Sequence, residues 1–248
     1  MRQAQSSGRY SSHRVMRNTL VIDFKATRRV LSSAPQGGGF TSARYLLNHQ
    51  VEANPDSSSF ETFHRSDHPA RYLRRLAAML GLTGRTIGLM TAVPMKQLVK
   101  SRLSSGEVWV ECFATVGVTN AVRSGEWPPN HGRRKSVYAA GTINIVLVTN
   151  VSFSNAAMVG AVQVATEAKT GVLRDHDVPS WTGQRGATGT GTDAVVIVCS
   201  MRGQGVRNTY SGTHTIVGAM IGRVVANCMA QGLAKAKRWS KSQARLQH

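Results

Sequence analysis

Residues 187–198 read ATGTGTDAVVIV: Thr-Gly steps, one aspartate, then an apolar run rich in Val and Ile. A short β-branched apolar run is the signature of a strand buried on both faces, so the Gly/Thr loop sits at a strand's entrance. Phosphate-binding glycine loops normally lie between a strand and the helix that follows, where helix N–H groups meet the anion. Here the order is reversed, and the stretch has neither a P-loop lysine nor dinucleotide-fingerprint spacing. A nucleotide site is therefore disfavoured, and Asp193 stands out as a lone carboxylate beside a buried strand.

Outward from that strand, the chain alternates strand-like and helix-like segments without a strict βαβ repeat. TLVIDF, RRVLSSA, RTIGLMTAV, EVWVECFATVGV and TINIVLVTN read as strands. HPARYLRRLAAMLG has helical spacing and ends on Gly81, a natural C-cap. Pro94 suits the first turn of a short helix, PMKQLVKSRL. Ser154 can cap a long helix, NAAMVGAVQVATEAKTGVL, and a last helix runs from SGTHT into a basic end. QGGG, residues 54–67 and SGEWPPNHGRRKS read as breaks or loops. The expected fold is α+β: a single domain with a mixed, largely buried sheet packed by helices. Its expected limits are 19–232, flanked by a basic disordered tail over 1–18 and another basic tail over 233–248.

The 248 residues can bury a sizeable core, and the formal net charge is +19. Four arginines in residues 1–19 and five Lys or Arg in 233–248 account for nine of the cations, with no acid in either segment. The remaining charges are scattered and not interleaved with aromatics, which argues against a nucleic-acid partner. The arginine- and serine-rich start lacks a secretory apolar core, and no run reads as a membrane span. A cytoplasmic protein is expected, with oligomeric state left open. Cys112, Cys199 and Cys228 lack metal-ligand spacing, so neither a disulfide scaffold nor a zinc site is expected.

Five polar clusters begin or end apolar elements: Asn120 in VGVTNA, Asn144 in GTINI, Glu167 and Lys169 in ATEAKT, Asp193 in GTGTDA, and His214 in SGTHT. Polar groups entering a core are either paired or functional, and Thr or Asn beside Gly commonly just satisfies a turn. His214 at a helix start is ordinarily a capping or packing residue. Glu167 follows an uncharged helical stretch; if that face is buried, its carboxyl needs a raised pKa or a cationic partner. Lys169 lies about 200° around the helix from Glu167 and reads as an ordinary surface charge. No G-x-S-x-G, H-E-x-x-H or kinase set is present.

Taken in order, RRVLSSAPQGGGFTSARYLLNHQV, GLMTAVPMKQLV, ATVGVTNAVRSGE, GTINIVLVTN, AAMVGAVQVATEAKT, SWTG, ATGTGTDAVVI and YSGTHT resemble the adenosylcobinamide amidohydrolase family. The resemblance spans about Thr19 to Val225, leaving out residues 52–68 and 128–137. It implies hydrolysis of the amide joining the aminopropanol arm of adenosylcobinamide to the corrin, yielding adenosylcobyric acid for cobalamin synthesis. The family pattern carries a Lys where this chain has Ile216 and a Glu near Ala219. Amide hydrolysis needs an activated water or nucleophile, oxyanion donors and an acid for the departing amine. On that chemistry, Gly189 and Gly191 open the backbone to a carbonyl oxygen, Asp193 or Glu167 orients water, and His214 protonates the amine. Direct attack by Thr190 or Thr192 is the alternative. Asn48, Gln50, Asn120 and Asn144 are candidate hydrogen-bonding residues for the amide fringe of a corrinoid, and Glu167, Asp193 and His214 are expected to converge with Asn120 on one cleft. No cofactor or protein-bound metal is implied, because the cobalt belongs to the substrate. The rival readings are a non-catalytic corrinoid-binding protein and a basic nucleic-acid-associated protein.

Overall fold

The computed structural model describes residues 6–7, 11–51, 68–127 and 141–246. All of the polar loop expected at 54–67, and part of the breaker-rich one at 124–136, lie outside them. The fold is α+β, a mixed sheet with helices against both outer faces. Its strands are β1 (Ser12–Met16), β2 (Thr19–Ser32), β3 (Gly39–Gln50), β4 (Thr86–Thr91), β5 (Val99–Ser105), β6 (Val108–Val116), β7 (Ile143–Thr149) and β8 (Ala194–Cys199). Ser6–Ser7 adds a two-residue extension beside β1. The helices are α1 (Pro69–Met79), α2 (Asn155–Asp175) and α3 (Ile216–Leu246).

The expected TLVIDF and RRVLSSA strands are one strand, β2, carrying a register irregularity between Asp23 and Arg28. The Asp23 carboxylate accepts from the Lys25 N–H at 2.7 Å, and Lys25 adopts φ +63°, so a side chain holds the local bend. The first half of β2 pairs with β1 and its second half with β8, while β3 runs along the other edge. From β8 the order continues through β7 and β6 to β5, with β7 and β8 parallel, β4 parallel to β3 and the remaining pairs antiparallel. The sheet thus has two flanks, joined by the long strands β2 and β3.

Side-chain alternation sorts the apolar residues into three layers. Leu46 of β3, Val146 and Val148 of β7, and Val196 and Val198 of β8 meet between the flanks with Leu20, Ile22 and Phe113. Ile143, Ile145 and Leu147 face the opposite way, packing with Val195 and Ile197 against α2 and α3. Leu47 and Val21 meet α1 through Tyr72, Leu73 and Leu76. With both faces covered, β7 and β8 read as continuous apolar runs.

The capping expectations hold at α1 and α2. Gly81 takes φ +69° just beyond α1, and Leu82 N–H returns to the Ala77 carbonyl. Ser154 Oγ accepts from Ala157 N–H at 3.0 Å to start α2. The short helix expected from Pro94 is only a turn at Met95–Gln97, because Val99–Ser105 pairs in seven-residue antiparallel register with β6. Strand pairing outweighs the weak helical periodicity there. The disordered tail expected over 1–18 does not hold for Ser12–Met16, which pairs residue by residue with Asp23–Thr19. The His13 ring also sits 5.0 Å from that of Phe113. At the other end α3 continues through residue 233, with Leu233 buried and Lys235 donating to the Leu98 carbonyl. Ile216–Arg238 of α3 is long and apolar enough to cross a bilayer, but 56% of its most apolar window is buried within the fold. Val217, Ile221, Val224, Val225 and Cys228 all lie in the core, which makes α3 a core helix.

Candidate active site

The chain immediately before β8 meets the C-terminal end of β6 and the start of β7. Gly189 and Thr190 pair antiparallel with Val122 and Ala121, placing Asn120 beside Gly191. Thr142 Oγ1 donates to the Thr192 carbonyl at 2.9 Å, tying the same loop to the start of β7. The Asp193 carboxylate and Lys169 ammonium pack directly over Gly189, so any side chain there would displace the pair.

Asp193 is the hub. Its Oδ2 accepts from Lys169 Nζ at 2.5 Å and from Thr190 N–H at 3.0 Å. Its Oδ1 accepts from the Thr190 hydroxyl at 2.5 Å and from Ile143 N–H at 3.1 Å. The side chains of Lys169 and Asp193 are 9% and 13% exposed, so the pair is shielded from solvent screening. Charge-assisted hydrogen bonds of this kind are short and orient their donors firmly. One carboxylate therefore fixes a lysine ammonium and a threonine hydroxyl together, at the mouth of a buried strand.

Two further features of this loop bear on how a ligand could meet it. Asn120 Oδ1 is shut off from solvent and meets no hydrogen-bond donor among the described residues. A buried acceptor without a partner carries a desolvation cost and is ready for a ligand N–H. Gly191 is exposed, and a Cβ placed on it would meet nothing within 4 Å, so a ligand can approach that peptide closely. Thr192, next to it, is also exposed.

The expected single cleft divides. Asp193, Thr190, Thr192, Gly189, Gly191 and Asn120 come together. Glu167 and His214 instead line a separate groove of about 370 Å³ with Ala156, Gly160, Gln163, Thr209 and Tyr210. Glu167 is exposed. His214 precedes Thr215, whose hydroxyl accepts from Gly218 N–H at 3.0 Å and caps α3. Asn48 and Asn144 are only 2% and 1% exposed and bond to each other at 2.9 Å. Asn48 also donates to Thr115 Oγ1 at 3.1 Å, and Asn144 to the Met90 carbonyl at 2.8 Å. They tie the two sheet flanks together and present nothing to a substrate. Gln50 accepts from Met95 N–H at 2.8 Å, holding the turn that follows β4.

Lys169 is the residue whose reading changes most, from surface charge to buried partner of Asp193. The 200° divergence from Glu167 is real, but Lys169 takes the inner face. Ala157, Ala161, Ala165, Lys169 and Leu173 follow at steps of four and are all buried. That ladder was visible in the sequence: a lysine in register with alanines and a leucine belongs to the core face and needs a carboxylate.

The arrangement is that of an α+β domain in which a buried acid–lysine pair holds a hydroxyl at a Gly-rich loop. The chain belongs to the adenosylcobinamide amidohydrolase family, whose sequence model matches residues 3–241. It is 30% identical over 226 residues to a Methanosarcina mazei protein named adenosylcobinamide amidohydrolase, covering 87% of this chain and 94% of that one. It is likewise 30% identical over 232 residues to an uncharacterized protein of Methanocaldococcus jannaschii, covering 88% of this chain and 86% of that one.

Proposed function

We propose that the protein hydrolyses the amide joining the aminopropanol arm of adenosylcobinamide to its corrin ring. The products are adenosylcobyric acid and aminopropanol, a step that returns incomplete corrinoids to cobalamin synthesis, in the cytoplasm. The observation that carries this reading is the Thr190 hydroxyl, held 2.5 Å from an Asp193 carboxylate whose other oxygen is paired with buried Lys169.

In the proposed sequence Thr190 Oγ1 attacks the amide carbon while Asp193 takes its proton. The tetrahedral oxyanion is met by backbone N–H groups of the open Gly191–Thr192 segment. The C–N bond then breaks, and the proton held by Asp193 passes to the departing amine. Water hydrolyses the resulting threonyl ester, returning the hydroxyl. Lys169 balances the charge of Asp193 before it takes the proton and after it gives it up, and Asn120 Oδ1 accepts the amide N–H and orients the arm. Cobalt enters only as part of the substrate.

The test is incubation of the purified protein with adenosylcobinamide and detection of adenosylcobyric acid by mass. Asp193→Asn should lose about 10²–10⁴-fold in turnover, the usual range for a general base. Thr190→Ala should lose the acyl-enzyme mass that a brief quench of the parent reveals. A parent enzyme that leaves adenosylcobinamide intact defeats the reading, and a Thr190→Ala variant that turns over at the parental rate defeats the nucleophile.

A further inference from the structure

A cavity of about 620 Å³ opens beside the candidate active site, between the end of β6, the loop after α2 and the C-terminal half of α3. Its walls are largely apolar, with Val93, Pro94, Val116, Val118, Val178 and Leu233 prominent. Its polar groups are spread around the wall: Gln97, Thr119, His176, Asp177 and Lys237. A broad apolar wall with separated polar groups suits a wide flat ligand with polar substituents at its edge.

The cavity connects to the chemistry through consecutive residues. Thr119 lines it, and Asn120, one residue on, carries the unpartnered Oδ1. Ala121, the next residue, pairs directly with Thr190. Facing residues of an antiparallel pair lie about 5 Å apart, so the cavity's edge and the Thr190 hydroxyl are separated by roughly two residue lengths. Thr119 Oγ1 and Asn120 Oδ1 pack against Gly141, where a Cβ would collide with both, so the two side chains lie together on that path.

We propose that this cavity seats the macrocycle of the corrinoid, with its amide-linked arm reaching past Thr119 and Asn120 to Thr190. The proposal rests on the function inferred above and adds where the ring lies. The apolar walls take the ring, while Gln97, Thr119 and Lys237 meet amides on its rim. The upper ligand of the cobalt stays outside the cavity, whose volume is too small for the whole molecule. Substrate selection is then made by the cavity and hydrolysis by the loop, two adjoining but separable parts.

The experiment fills the cavity from its rim. Ala234 is exposed on α3 and lines the cavity, so Ala234→Trp projects an indole into it from a position outside the core. Binding of cyanocobinamide is measured by equilibrium dialysis, reading the corrin colour directly, alongside steady-state hydrolysis of adenosylcobinamide and thermal melting. Ala234→Trp is expected to weaken cyanocobinamide binding at least tenfold and to raise KM similarly, with kcat changed less than about twofold. Tyr210→Ala, in the separate groove, should bind as the parent does. If Ala234→Trp melts early, Pro179→Trp on another wall is measured in the same way. Unchanged binding in a folded, cavity-filled variant overturns the seat while leaving the proposed hydrolysis standing. A parent that binds cyanocobinamide but hydrolyses nothing defeats the function, and the dialysis comparison still decides the seat. A parent that binds no cyanocobinamide overturns the seat outright.

Discussion

Replacing Lys169 by Met keeps most of the side chain's length and apolar contact with α2's inner face while removing the ammonium from Asp193. Breaking a buried ion pair by deleting one partner typically costs about 3–5 kcal/mol, because the other charge is stranded. Asp193 would still accept from Thr190 N–H, the Thr190 hydroxyl and Ile143 N–H, which places the expected loss at the lower end, about 3 kcal/mol. In a chain of this length that corresponds to a fall in melting temperature of roughly 6–12 °C, at 2–4 °C per kcal/mol. Thermal and urea unfolding of the parent, Lys169→Met, Asp193→Asn and the double variant measure it as a cycle. The double variant should be more stable than Lys169→Met alone, since the amide that replaces the Asp193 carboxylate has no charge to strand yet still accepts. A Lys169→Met protein within about 0.5 kcal/mol of the parent would refute the claim that this pair is shielded and coupled.

Asn144→Ala should lose about 1–3 kcal/mol of stability by stranding Asn48 Oδ1 and the Met90 carbonyl, with KM unchanged, as urea titration and steady-state kinetics would show. Glu167→Gln and His214→Ala should each leave turnover within about twofold and stability within about 0.5 kcal/mol; a large loss of rate in either would return the chemistry to their groove. Glu111 is pushed above the ordinary carboxylate range by burial, with Arg102 and Lys100 partly opposing. Its raised value means a contribution to stability that is full below the ordinary carboxylate pKa and is lost as pH rises through the folded one; Glu111→Gln should remove that part of the pH dependence and stabilise the protein at neutral pH. A chain beginning at Thr19 loses β1 and its cover over Phe113, so it should melt below the full chain in calorimetry; an identical melt would show the β1 hairpin to be peripheral.

The sequence by itself determined the α+β class, the two buried strands β7 and β8, the cap of α2 at Ser154 and the place of the Thr-Gly loop and Asp193 at the entrance of a buried strand. Each is a local signal: a β-branched apolar run, a capping serine, a carboxylate at a strand's entrance. It also held, in the four-residue ladder through Ala161, Ala165 and Leu173, the information that Lys169 is buried. Which carboxylate that lysine meets could not be read from it, because Lys169 and Asp193 are 24 residues apart and joined only when α2 packs beside the loop. The tertiary structure likewise decided that Asn48 and Asn144 belong to the core. Their pairing spans 96 residues and depends on the two sheet flanks facing one another. The separation of Glu167 and His214 from Asp193 has a related origin: helical phase turns Glu167 outward, and only packing shows that it shares a groove with His214 and not with Asp193.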